Sequence, residues 1–268
     1  MPESSTLPTI SEIGEDLLRI NLFQRIAALL IPFGCVAGYG YFAQKRLWIP
    51  AIACLVYLSF VTYGSISHDL VHRTLGLPRF LNETFLTLVE LLAFRSGHAY
   101  RKSHLHHHAR FPHDDDIEGS AAWMSLFRSL LEGVVFQYRS IKWTLNLKSA
   151  DRALVIGECV AILVALAICF GSFPVTPVLA VYASLMIAGS WIIPLVTSHV
   201  PHNPEGRGEL QQTLRFRGRL LSILALEHLY HLEHHLYPMV PHHHWPTLAR
   251  RLDPYFDQAG IKSVVLWF

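Results

Sequence analysis

The sequence predicts an all-α integral membrane protein: four transmembrane helices in two hairpins, interfacial helices, and a cytosolic cap rich in histidine. Three observations lead there. Of 268 residues, 51% are hydrophobic and only 16% charged, and the mean hydropathy is +0.32, too apolar for a water-soluble domain of this length. Four apolar stretches each approach the roughly 17 to 25 residues that a spanning helix needs. All 17 histidines lie at or beyond His68, between or after those stretches.

The elements follow in order. The first residues carry Glu3, Glu12, Glu15 and Asp16 with no basic residue before Arg19, the wrong charge for a secretory leader, so the spans themselves address the chain to the membrane. The first hairpin runs over about 26–43 and 47–66, turning at Gln44-Lys45-Arg46. Residues 80–94 are apolar but short and contain Asn82, Glu83 and Glu90, which suits an interfacial or re-entrant helix. The second hairpin, about 153–170 and 178–197, turns through Gly171 to Pro177. Both turns are too short to hold a domain, so the polar mass gathers on one face. Of the 22 Lys and Arg residues, only Lys45 and Arg46 fall in these turns, and the positive-inside rule places both termini in the cytosol.

No Gly/Ser-rich or acidic linker divides the chain, so 1–268 reads as one domain. A net charge of +2 without a basic stripe asks for no nucleic acid. Cys35, Cys54, Cys159 and Cys169 lie singly in apolar runs and read as packing residues.

The chemistry sits in three histidine clusters. His68 and His72 are spaced i, i+4, which one turn of helix stacks on a single face where they can share a metal. His104, His107 and His108 repeat at i, i+3, i+4, with His106 pointing elsewhere, and His231, His234 and His235 repeat the same spacing. Neutral imidazole suits iron, zinc, copper and nickel, and eight such groups exceed what one four- to six-coordinate ion uses, so two metals are the economical reading. His202, just past the fourth span, is a ninth candidate. His199, His228, Asp69 and Glu233 are placed to orient a ligand or to act as extra ones.

Other polar residues take plainer readings. His242, His243 and His244 sit among prolines and read as a polar loop. His98 and His113 read as surface groups, and Asp114, Asp115 and Asp116 as a solvated loop or helix cap. Glu158, inside the third span, is close enough to its end to reach the interface or bond a neighbouring helix. Gly38-Tyr39-Gly40 imitates a dinucleotide fingerprint but lies in a span, where helix packing explains it.

With these residues in view, the chain resembles the membrane-bound fatty acid desaturase superfamily, whose members carry HxxxH, HxxHH and HxxHH boxes around a di-iron centre. The resemblance covers roughly residues 47 to 255. Its most specific part is His231 to Pro241, His-Leu-Glu-His-His-Leu-Tyr-Pro-Met-Val-Pro. It implies that His68, His72, His104, His107, His108, His231, His234 and His235 ligate two irons, with His202 as the additional histidine beyond the last span. Carotenoid ketolases and hydroxylases share these boxes, and some carry a segment like Val200-Pro201-His202.

The resemblance implies O₂-dependent removal of hydrogen from an unactivated C–H bond, chemistry that belongs to the metal and not to an amino-acid base. HExxH, GxSxG and Walker patterns are absent from the sequence. A site at the mouth of apolar helices suits a substrate dissolved in the bilayer, hence a fatty acyl desaturase, with a β-carotene ketolase or hydroxylase as the alternative. Electrons should come from a separate ferredoxin, rubredoxin or cytochrome b5, since no nicotinamide or flavin motif is present. A reading of another class, a metal transporter or sensor, fits less well because the spans are almost free of ionisable groups.

Overall fold

The computed structural model describes residues 7–147, 151–218 and 228–266. Among them, four helices are long and apolar enough to cross a membrane: α1 Leu22–Gln44, α2 Trp48–His72, α6 Arg152–Gly171 and α7 Val178–His199. The chain is an all-α membrane protein.

Helix α1 starts where Asn21 accepts the Gln24 N–H at 2.8 Å while the Gln24 side chain returns to the Asn21 N–H at 3.0 Å, a reciprocal cap that satisfies two otherwise orphaned donors. The turn into α2 passes through Arg46 in the left-handed region, φ 60. Where α1 and α2 pack, a Cβ on Gly38 would lie 3.1 Å from the Cys54 sulfur, so this glycine serves close helix approach.

Helix α2 runs past its expected end at 66. It is α-helical to Val61, widens into a π turn over Thr62–Ile66, and resumes over Ser67–His72. The first histidine pair therefore belongs to the span itself. Helix α7 repeats the device: after Ser190 it breaks, then forms a π turn over Leu195–His199, three residues before His202. Such turns insert an extra residue into the ladder and commonly mark functional sites.

Residues 80–94 form α3, Arg79–Leu92, paired with α4, Gly97–Arg110, as a helical hairpin. Its tip meets the fourth span: Tyr182 Oη donates to the Leu92 carbonyl at 2.5 Å and its ring lies 5.7 Å from Phe94. The acidic residues that argued against a span are what anchor it. Glu90 is fully buried and pairs with Arg95 at 2.8 Å, and Ser96 caps α4 by accepting the Ala99 N–H.

Helix α5, Leu126–Asn146, has no counterpart in the apolar-run reading because it is apolar on one face only. Phe127, Leu131, Val134 and Tyr138 are exposed, while Ser129, Gly133 and Phe136 pack inward, the pattern of a helix lying in a membrane interface. A Cβ on Gly133 would collide with the Trp191 carbonyl, so glycine lets α5 press on the break in α7.

A polar cap closes the histidine end. Strands β1, Arg215–Arg217, and β2, Ser263–Val265, pair in parallel beside α8, His231–Leu236, and α9, Trp245–Gln258. Leu232, Trp245, Leu248, Leu252 and Phe256 form an apolar core with Ile13 and Leu17 of the N-terminal segment. Tyr237 Oη donates to the Pro8 carbonyl at 2.6 Å, so both described ends of the chain lie on this face.

Candidate metal centre

Nine histidines converge into two adjoining groups. His68 and His72 from α2, His104 and His108 from α4 and His234 from α8 make one; His107 from α4, His202, and His231 and His235 from α8 make the other, and the ligand atoms within each lie within 4.8 Å of one another. The single stripe expected of His104, His107 and His108 is split: positions i and i+4 face the first group and i+3 faces the second. The third cluster divides likewise, His234 to one side and His231 with His235 to the other. The groups touch where the His108 and His235 rings lie 4.4 Å apart.

Within each group the Nε2 atoms face inward. In the first, His68 to His234 is 2.9 Å, His104 to His68 3.1 Å and His234 to His108 2.8 Å. In the second, His107 to His202 is 3.1 Å, His202 to His235 3.2 Å and His235 to His231 3.1 Å. His72 Nε2 is buried and has no hydrogen-bond partner among the described residues.

Partners on the far side of the rings set their tautomers. Glu118 accepts from His104 Nδ1 at 2.8 Å, Asp116 from His107 Nδ1 at 2.7 Å, and the Ser198 carbonyl from His202 Nδ1 at 3.0 Å. Carboxylate and carbonyl oxygens only accept, so each Nδ1 carries the proton and each Nε2 turns its lone pair inward. Burial, with repulsion between neighbouring imidazoles, drives His108, His202, His234 and His235 well below the usual histidine range. For His107 burial acts the same way, but the Asp116 hydrogen bond and charge outweigh it and raise the value. Converging neutral lone pairs repel one another unless a cation lies between them, so this all-imidazole donor set fits a late transition metal in each group.

The remaining candidates fall elsewhere. His199 Nδ1 approaches the Ala121 carbonyl at 3.3 Å, outside both groups. Asp69 binds His242 through its backbone N–H at 3.0 Å and Nδ1 at 2.6 Å, so it supports no ring of the nine. Glu233 is buried and pairs with Arg217 at 2.7 Å, tying α8 to the β1 strand. The His228 side chain lies outside the described residues.

Three plainer readings need correction. Asp116, expected in a solvated loop or as a helix cap, is buried against His107 and accepts the Gly119 N–H at 2.9 Å at the start of a helical turn, so it is not solvated; of the three, Asp114 and Asp115 are exposed. His98, expected at the surface, is buried between Glu158 at 2.7 Å and Glu83 at 3.0 Å, because the helical hairpin carries the start of α4 against α6. His242, expected in a polar loop, is a buried partner of Asp69. Glu158 bonds its neighbouring helices, accepting from Thr87 and Ser96 at 2.6 Å each as well as from His98. Glu118, which holds His104, carried no sequence signal: it lies 14 positions away along a non-helical connection.

An apolar chamber of about 210 Å³ lies between α2 and α7. Tyr63 and Thr197 line both this chamber and a narrow crevice bounded by His68, His104 and His231.

A membrane helical bundle in which one span, the helix α4, the end of the fourth span and the cap helix α8 bring nine imidazoles together defines a class, integral membrane proteins with a multi-histidine site of metal-binding type. Within it, residues 46–267 match the family model for fatty acid desaturase, and the chain belongs to the fatty acid desaturase family. It is therefore an oxidoreductase of desaturase or hydroxylase type. The search of curated proteins found no match.

Proposed function

We propose that the protein is an iron- and O₂-dependent fatty acyl desaturase that works at the cytosolic face of the membrane with both termini in the cytosol. The observation that carries this reading is the convergence of nine histidines into two groups, bordered by a crevice that shares Tyr63 and Thr197 with an apolar chamber. His68, His72, His104, His108 and His234 would hold one iron, and His107, His202, His231 and His235 the other. Two irons with O₂ supply the oxidising power to take hydrogen from an unactivated C–H bond. The chain's own residues do the rest. Glu118 Oε1 and Asp116 Oδ2 keep the protons of His104 and His107 on Nδ1, the chamber walls desolvate and align a hydrocarbon, and Tyr63 and Thr197 flank its approach to the histidines. Electrons come from a separate ferredoxin, rubredoxin or cytochrome b5 docking on the cytosolic face.

The test is expression of the wild type and His107→Ala in a host that makes membrane acyl lipids and β-carotene, with lipid extracts compared by mass spectrometry. A loss of two hydrogens from acyl chains that depends on His107 is expected. Oxygen gained on β-carotene in its place would make the protein a ketolase or hydroxylase, and identical extracts would overturn the proposal.

A further inference from the structure

Among the described residues, one cation lines the apolar chamber. Arg95, 3% exposed, lines it among Val56, Phe60, Met186, Ile193 and Val196. Its Nε and Nη2 donate to the buried Glu90 carboxylate at 2.8 and 3.1 Å, and Nη2 also to Thr62 Oγ1 at 2.8 Å. The guanidinium lies over the Tyr63 ring, 5.1 Å from its centroid. Among the described residues, Nη1 makes no hydrogen bond. The residue before it, Phe94, has φ 54, a backbone state that bulky side chains rarely adopt, and this turn delivers the guanidinium to the chamber wall.

These facts sit badly with a wholly hydrocarbon occupant. Glu90 already neutralises the charge, so the chamber does not call for an anion. Two N–H bonds on Nη1 remain, and an apolar chain lying against them would desolvate both without replacing their hydrogen bonds. A neutral oxygen answers that need. Thr62, which Nη2 bonds, lies on the same helix as His68 and one to two turns before it, so that oxygen would sit along the chain short of the carbon presented to the histidines.

We infer that Arg95 Nη1 binds a neutral acceptor oxygen, a hydroxyl or ketone, carried partway along the substrate's hydrocarbon chain. This rests on the reading that the chamber receives the substrate, and it narrows the substrate class to an oxygen-bearing lipid chain.

The experiment measures equilibrium binding of three probes to the purified full-length protein in nanodiscs: stearic acid, and the same acid with a mid-chain hydroxyl or a mid-chain ketone. The wild type should bind the oxygenated probes about ten-fold more tightly or better, the size of a hydrogen bond to a charged group. Arg95→Lys keeps a cation for Glu90 but gives up the planar fork, and it should bind all three alike. If that variant does not fold, Arg95→Met combined with Glu90→Leu removes the pair without stranding either charge and should also bind all three alike. Equal binding by the wild type, as when a water satisfies Nη1, overturns the inference, as does discrimination that survives in the variants. Binding needs no turnover, so the two readings fail separately: discrimination without any His107-dependent product would count against the activity alone, and desaturation without discrimination against this inference alone.

Discussion

The two histidine groups share helices α4 and α8 but draw their other members from different spans, His68 and His72 from α2 and His202 from just past the end of α7. The five-histidine group has three buried members, His68, His104 and His234, and His68 and His104 border the crevice that shares Tyr63 and Thr197 with the apolar chamber. In the four-histidine group His107 and His202 are buried; His231 joins the crevice, and His235 borders a polar cavity of about 220 Å³ together with His108 of the first group. Each group therefore reaches both openings, the crevice on the chamber side and the cavity on the polar side. The difference teaches how one i, i+3, i+4 stripe serves both: neighbouring positions on α4 point to opposite sides, so a single rigid helix fixes the relation between the groups.

The comparison can be broken at its strongest point first. His68→Ala should strip metal from the five-histidine group and His202→Ala from the four-histidine group, each reducing product formation to background in the lipid assay. Metal analysis should show that each variant keeps the other ion more firmly. Loss of both ions from either variant would mean that the groups are one site.

The supporting carboxylates should give a graded version of the same contrast. Glu118→Gln frees the His104 tautomer and Asp116→Asn that of His107, and each should weaken metal binding by roughly 10- to 100-fold, with the spectroscopic change confined to its own group. Chelator titration followed by optical or Mössbauer spectra reads this out.

A third prediction concerns the frame that holds α8. Arg217→Met leaves Glu233 buried without its partner, which should cost about 3 kcal/mol, measured as reduced stability in detergent. Burial already raises the Glu233 carboxyl above its ordinary range, although Arg217 opposes it. An acid that is neutral costs little to bury, so the variant should be closest to wild type at acidic pH and fall further behind as pH rises.

The smallest effect belongs to Asp253. Burial would raise its carboxyl, but hydrogen bonds and charge from Arg217 and Arg215 outweigh it and lower the value. Its contribution is therefore present above the unfolded carboxylate range and lost as pH falls through the folded value. Asp253→Asn should remove that part of the acid-side loss, at most about 1 kcal/mol for a partly exposed pair, seen as a flatter stability profile below about pH 4.

The sequence displayed what depends on local pattern. Apolar runs located all four spans, helical spacing singled out eight of the histidines that the fold brings together, and position just past the fourth span supplied the ninth, His202. What escaped depends on contacts distant along the chain. His98 looks like any helix-terminal histidine until α6 brings Glu158 to it, and Asp116 resembles its exposed neighbours until the connection after α4 folds back onto His107. Residues 80–94 could not be assigned between interface and interior, because the answer lay in Arg95 and Tyr182, which satisfy Glu90 and the hairpin tip. Helix α5 was passed over because a search for continuous apolarity does not find a helix with one polar face.

The most direct measurement is the iron content of the full-length protein purified without air from iron-replete cells, with its Mössbauer spectrum. The account predicts two irons per chain, one for each histidine group, in nitrogen-rich coordination, with His68→Ala and His202→Ala each losing a different spectral component. A protein that folds and holds no iron, or holds a single ion that both substitutions remove together, would contradict it.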